Sequence, residues 1–151
     1  MLDDTDRRLL RHLQADPGQS VAELARASGV AASKAYKRLE RLEAAGVLKG
    51  LRAVIDWRAL GYAVEVSLRV SLDKTEPRAF DEFMAVAREV PEVSEIQTFL
   101  GRVDVRLTVL ARNMSHYQEI YRSRILTLPH IVDVEALMHV TTIKDVEALP
   151  L

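Results

Sequence analysis

SVAELARASGVAASKAYKRLERLEAAGVLK, residues 20–49, predicts two short helices joined by a tight turn. Ser20 is a suitable N-cap for the first helix, and Glu23 follows three residues later in the capping-box position. Gly29 suits the left-handed backbone that ends this helix, and Gly46 suits the end of the next one. The stretch therefore predicts a helix, a tight turn and a second helix.

The second of these helices, at about residues 32–45, carries its basic residues on one face. Four cations follow the spacing 0, 3, 4 and 7, which brings them together on a helix: Lys34, Lys37, Arg38 and Arg41. Apolar residues occupy another face and predict packing on a core: Ala35, Leu39 and Leu42. A helix anchored on one side and cationic on another suits insertion into the major groove of DNA. A solvated charged face is the alternative interpretation of this helix alone.

A further helix is expected at about residues 4–14, with Asp3 as its N-cap. Three helices with a tight turn between the last two form a helix-turn-helix. We place this domain at residues 1–50. Residues 51–60 are interpreted as a wing or linker strand that ends in a hinge, because the hydrophobic period changes after them.

The second part of the chain, residues 61–151, predicts a ferredoxin-like βαββαβ domain. Apolar residues alternate with polar ones over residues 63–72, which is typical of a half-buried strand. The remaining elements are expected as a helix opened by Pro77 with the stripe Phe80, Phe83, Met84 and Ala87, strands at 93–100 and 105–110, a helix from Ser115 to Leu126, and a strand at 132–142. The predicted fold class is therefore α+β, with a winged-helix-like N-terminal domain followed by this sheet domain.

Composition excludes several classes of function. The chain of 151 residues contains no cysteine, so disulfides and thiolate metal sites are excluded. No apolar run approaches a membrane span and the N-terminus lacks a secretory signal, so we expect a cytoplasmic protein without a membrane partner. Residues 1–58 carry a net charge of +3 and residues 59–151 a net charge of −4. This asymmetry favours a polyanion as the partner of the first domain only.

The whole chain resembles the Lrp/AsnC, or feast/famine, family of transcription regulators. The similar stretches are LDDTDRRLLRHLQADP, VAELARASGV, KRLERLEAAGVLKG and GRVDVRLTVLA, in that order. The resemblance implies an N-terminal domain that binds double-stranded DNA and a C-terminal domain that assembles the oligomer and binds small effectors, usually amino acids. Two positions differ from the family pattern. Ala31-Ala32 replaces the usual Ser-Pro, and Gly101-Arg102-Val103-Asp104 replaces the frequent Gly-Asp-Tyr-Asp.

The predicted DNA-binding residues lie at the two helices of residues 20–49. The guanidinium groups of Arg38 and Arg41 can bond guanine or phosphate, whereas lysines more often contact phosphates. The full set is Gln19, Ser20, Ser33, Lys34, Tyr36, Lys37, Arg38 and Arg41. A simple helix cap is an equal interpretation of Gln19 and Ser20. Because Arg38 and Arg41 lie off the apolar face, we expect their replacement by alanine to leave the fold intact.

The effector site implied by the resemblance is the turn of Gly101, Arg102, Val103 and Asp104, at a junction between subunits. There Arg102 is expected to pair with an α-carboxylate and Asp104 with an α-ammonium group. The alternative is a hairpin turn without a ligand, because glycine in such a turn needs none.

One face of the predicted sheet mixes polar and apolar residues and is either open to water or covered by a second subunit. The resemblance favours the second option, a homodimer that assembles further to a tetramer or octamer. The predicted interface residues are Glu65, Leu137, His139 and Thr141.

Two other functions are considered. Siroheme decarboxylases share this architecture and act on a tetrapyrrole, but they need no cationic DNA-reading helix. An effector-sensing module without DNA binding is disfavoured by the same helix. The four histidines have no metal-ligand spacing, so the sequence predicts neither a metal nor a cofactor, and no catalytic residues.

Overall fold

The computed structural model describes residues 2–144 and 148–151. They form two compact units. The first is the N-terminal part up to Val54 together with the C-terminal end from Lys144, and the second is Ile55–Ile143. No helix of the described residues is long and apolar enough to span a bilayer.

The first unit contains α1 (Asp4–Ala15), α2 (Val21–Ala27) and α3 (Ala32–Ala44). Its core joins the apolar faces of these helices through the buried Leu9, Leu24, Ala25 and Ala35. These elements confirm the three-helix prediction.

The caps of these helices follow the sequence. Asp3 caps α1 and Ser20 caps α2, and both form complete capping boxes. α3 starts without a side-chain cap because the side chain of Ala31 has no oxygen atom to accept a hydrogen bond. Gly29 and Gly46 adopt the expected positive φ values of 67° and 68°.

The described backbone between α3 and the sheet contains no strand. Residues 51–56 are irregular and exposed, and residues 57–61 form turns. The expectation of a wing or linker strand is therefore not met in this chain.

The second unit contains β1 (Val64–Leu72), α4 (Ala79–Ala87), β2 (Val93–Thr98), β3 (Val105–Ala111), α5 (Met114–Ile120) and β4 (Ile131–Met138). A π-helical segment, Tyr121–Ile125, continues α5. The sheet is antiparallel with the strand order β2-β3-β1-β4. This is the predicted βαββαβ order.

The two faces of the sheet differ. One face packs on α4 and α5 in a single apolar core that includes Val66, Leu68, Leu107 and Phe83, all fully buried. The opposite face, which we call the open sheet face, carries Glu65, Ser67, Arg69 and Ser71 from β1 and their partners on β3 and β4. It positions the second candidate site.

Three local predictions in this unit were wrong. α4 begins at Ala79, two residues after Pro77, with Phe80 exposed and Ala79 buried in its place. Asn113 and not Ser115 caps α5, since its side chain accepts the N–H of His116 at 2.8 Å. β4 ends at Met138, so Thr141 lies beyond the strand.

The C-terminal end contacts α1. The Arg11 guanidinium donates to the Leu151 carbonyl at 2.7 and 3.1 Å. The Leu149 N–H donates to the Gln14 side chain at 2.6 Å. The sequence assigned this end to the sheet domain, whereas these hydrogen bonds attach it to the first unit.

Candidate DNA interface and effector cavity

The exposed face of α3 gathers the predicted cations. Ser33, Lys34, Lys37, Arg38 and Arg41 line one shallow surface concavity. Lys34 and Lys37 are exposed, and within the described residues neither forms an ion pair. Their charges are therefore available to an external anion.

The two arginines of this face are already bound. Arg38 donates to Asp3 at 2.6 Å and to Asp6 at 2.8 Å, and only 17% of its side chain is exposed. Arg41 donates to Asp6 at 2.6 Å, but 57% of its side chain is exposed. Arg38 therefore joins α1 to α3, whereas Arg41 keeps much of its guanidinium in solvent.

Asp6 is the centre of this network and is fully buried. Burial raises the pKa of Asp6, but the Asp3 N–H and the two guanidinium groups outweigh it and hold this pKa below its usual value. The hydrogen bond from Arg38 lowers the pKa of Asp3 to about 2. Both carboxylates are thus charged at neutral pH.

Because Arg38 has these partners, we now expect its replacement to destabilise the first unit, in contrast to the sequence-based expectation of an intact fold. Its loss would remove one of two guanidinium partners from the buried Asp6 carboxylate, which is strongly unfavourable. Sequence reasoning missed the partnership because the N-cap position already accounts for Asp3. The signal was present: two acids on one helix and two arginines at i, i+3 on another.

The other predicted DNA-binding residues have local partners. Gln19 donates to the carbonyls of His12 and Asp16 at 2.9 and 2.7 Å, so it fastens the end of α1. Ser20 is engaged with Glu23 in the capping box. These contacts support the simple-cap interpretation of the pair. Tyr36 is 55% exposed, and a hydrogen bond to Glu40 raises its pKa.

The turn of residues 101–104 does not bring its two charges to one cavity. Asp104 accepts the Leu72 N–H at 2.9 Å and lies 3.3 Å from the Lys74 ammonium. Its own N–H donates to the Val70 carbonyl at 3.0 Å. Asp104 therefore fastens the turn to the end of β1.

Arg102 and Val103 instead line a cavity on the open sheet face. Its walls are Arg69, Ser71, Arg102, Val103, Asp133 and Glu135. We call it the β1-end cavity. Gly101, with φ at 157°, precedes these residues in the turn. Sequence reasoning missed the three residues of β1 and β4 with charged side chains, because they are distant from the turn along the chain.

The predicted interface residues lie at the opposite end of β1. His139 is 3.3 Å from the Glu65 carboxylate and donates its N–H to the Glu65 carbonyl at 2.9 Å. Leu137 faces Ser67 across the strand pair and keeps 37% exposure. Thr141 is exposed beyond the strand. Among the described residues, no group of three potential metal-binding side chains occurs.

Comparison with known proteins identifies both units. Residues 65–149 match the Lrp/AsnC ligand binding domain, and residues 2–49 match a winged helix-turn-helix DNA-binding domain. The chain is 33% identical to the proline dehydrogenase transcriptional activator of Rhodobacter capsulatus over 87% of this chain and 85% of that protein. It is 30% identical to the DNA-binding transcriptional activator DecR of Escherichia coli, over 100% and 99% of the two chains.

A solved structure shares the same architecture. A transcriptional regulator from Neisseria meningitidis, crystallised as a complex with L-Met, matches with a TM-score of 0.90 and 25% identity. The match covers 99% of this chain and 97% of that one. Domain content, relatives and fold agree, and the chain therefore belongs to the Lrp/AsnC family of DNA-binding transcription regulators.

Proposed function

We propose that the regulator binds operator DNA through the exposed cations of α3, assembles through the open sheet face and responds to an amino acid. The observation that carries the DNA-binding role is the pair Lys34 and Lys37, exposed and without ion pairs among the described residues. Such free ammonium groups neutralise phosphates and release counterions. The domain division at residues 50 and 61 remains part of this proposal, with the C-terminal end as an addition to the first domain.

The arginines have different roles in this proposal. Arg41 has the exposure to reach a phosphate or guanine while one nitrogen stays on Asp6. Arg38 holds α3 against α1 and so fixes the angle at which the lysines are presented. Ser33 can add a single hydrogen bond at the same concavity, and the exposed Tyr36 can add one from another side of α3, whereas Gln19 and Ser20 shape the end of α1 and the start of α2.

A single copy presents few cations, so the proposal includes assembly. Two or more DNA-binding domains in one particle multiply the phosphate contacts. The open sheet face is the proposed contact surface, with Glu65, Leu137 and His139 toward the start of β1 and Thr141 beyond the end of β4. Its mixed charges suit a second copy better than a polyanion.

The effector in this proposal is an amino acid, as in the L-Met complex of the relative from Neisseria meningitidis. It binds beside the turn of residues 101–104 and biases the placement of the DNA-binding domains. The protein acts in the cytoplasm, where chromosomal DNA is found, and is not an enzyme. The siroheme decarboxylase alternative has no supporting observation, because both domain matches are to regulator domains.

Substitution of the free lysines tests the DNA-binding role. Lys34→Ala with Lys37→Ala should reduce operator affinity. It should also make the negative slope of log affinity against log salt shallower by about 2. The measurement is a titration of operator DNA at several salt concentrations, with the operator first selected from fragments of the source genome.

The matched control is Arg88→Ala with Arg112→Ala, which removes two exposed cations from the second unit. The control should bind DNA like the wild type. Equal affinity and equal salt slope for the lysine variant and the wild type would show that α3 does not contact phosphates through these residues.

A further inference from the structure

The β1-end cavity has the size of a small-metabolite site. Its volume is about 410 Å³. Ligand sites of this size bury most of a small molecule and fix it with a few polar groups. Asp104 does not line this cavity. Any acid that meets a ligand there must therefore be another residue.

Ser71 lies between the charged walls of the cavity. Its hydroxyl donates to the Arg102 carbonyl at 2.9 Å, which holds the turn at this end of β1. On its other side, Ser71 pairs with Asp133 across β1 and β4. Directly paired residues on one face have Cβ atoms about 4.5–5.5 Å apart. Arg102 and Asp133 therefore flank the same residue, one from the turn and one from the edge strand.

Only two of the four charged side chains in the cavity walls form an ion pair with each other. Arg69 and Glu135 are cross-strand partners and form an ion pair at 3.4 Å. Within the described residues, the side chains of Arg102 and Asp133 form no ion pair. One free cation and one free anion thus remain, and they complement the two ends of a zwitterion.

We infer that Asp133 binds the α-ammonium group and Arg102 the α-carboxylate of an amino acid whose side chain is uncharged. Asp104 is a positioning residue that holds the turn through Leu72 and Lys74. An uncharged side chain follows from the pairing of Arg69 with Glu135, which leaves no further free charge in the walls. This inference rests on the proposed effector function.

Two isosteric substitutions separate the acids. Asp133→Asn and Asp104→Asn each remove one negative charge, and the asparagine at 104 can still accept the Leu72 N–H. The measurement is calorimetry of the full chain with each of the twenty amino acids. We expect Asp133→Asn to weaken binding about 10-fold or more and Asp104→Asn to change it less than about 3-fold. Thermal unfolding of both variants without ligand controls for folding.

A ligand analogue completes the test. The des-amino analogue of the amino acid that binds most tightly should bind wild type and Asp133→Asn equally, because it lacks the group that Asp133 contacts. Loss of affinity in Asp104→Asn equal to or greater than that in Asp133→Asn would overturn the assignment. So would preferential binding of an amino acid with a charged side chain. If wild type binds none of the twenty amino acids, the proposed effector function fails, and this inference fails with it.

Discussion

α3 and the open sheet face both expose clusters of charged side chains, but the signs are arranged differently. The charged residues of α3 that line the concavity are all positive, and the acids that meet them, Asp3 and Asp6, come from the start of α1. On the sheet, acids and bases alternate across strands, as in the pair Arg69 and Glu135. A surface of one sign attracts a polyanion, whereas a surface of mixed sign suits a second subunit or a zwitterion.

The difference also shows how each surface is supported. The α3 face depends on a buried carboxylate, since Asp6 is fully buried and bound by two guanidinium groups. The open sheet face rests on an apolar core on the other side of the same strands. Removal of a charge should therefore change the stability of the first unit more than that of the second.

The largest expected effect on stability is that of Arg38→Ala. It removes a guanidinium partner from the buried Asp6 and from Asp3, so we expect the first unit to melt about 5–10 °C lower. Thermal unfolding, monitored through hydrogen exchange of the backbone amides of α1 and α3, measures this shift in melting temperature. Arg41→Ala should have a smaller effect, because most of its side chain is in solvent.

A second substitution checks the cause of that loss. In Asp6→Ala with Arg38→Ala no uncompensated charge stays buried, so part of the lost stability should return. If Arg38→Ala has the same melting temperature as the wild type, the ion pairs around Asp6 do not stabilise the domain. The apolar contacts of α3 would then hold it in place alone.

The next prediction concerns the sheet. Leu137→Asp places a charge in the open sheet face and should shift the particle toward monomers at micromolar concentration in sedimentation. Leu126→Asp is the matched control, because Leu126 is also exposed and follows the π-helical segment outside the sheet. If Leu137→Asp leaves the oligomeric state unchanged, the interface between subunits lies on another surface.

The smallest expected effect is the acid dependence of the first unit. The pKa of Asp3 lies at about 2, below its ordinary value of 3.8, so the folded state binds fewer protons than the unfolded state. This contribution to stability is complete above pH 3.8 and is lost as the pH falls through about 2. Asp3→Asn should therefore flatten the decline of stability between pH 4 and pH 2, measured by urea unfolding. If the stability of Asp3→Asn declines as steeply as that of the wild type, other carboxylates cause the acid dependence.

The sequence predicted the elements well where their signals were local. The capping boxes at Asp3 and Ser20 located two helix starts, and the alternation over residues 63–72 located β1. Local signals failed at two helix starts, since α4 begins two residues after Pro77 and Asn113 rather than Ser115 caps α5. Predictions also failed where they depended on neighbours that are distant along the chain. Phe80 was expected in the core by its spacing, but its side chain is exposed and Ala79 is buried instead.

The candidate sites divide in the same way. The cation row of α3 followed from helical spacing, and the structure gathers these side chains at one concavity. The pairing of Arg38 with Asp6 did not follow, because these residues are 32 positions apart. The hydrogen bond of Asp104 and the position of Asp133 in the cavity wall did not follow either, since each depends on which strand end lies beside the turn.

By itself, the sequence determined the three helices, the strand order along the chain and the cationic face of α3. Helical spacing, capping residues and alternation act over a few residues, so a linear reading contains them. Only the tertiary structure decided which charges are free. It bound Arg38 to α1, kept Lys34 and Lys37 in solvent and turned Asp104 away from the β1-end cavity. Ion pairing depends on distance in space, and the fold sets that distance between residues that the chain keeps far apart.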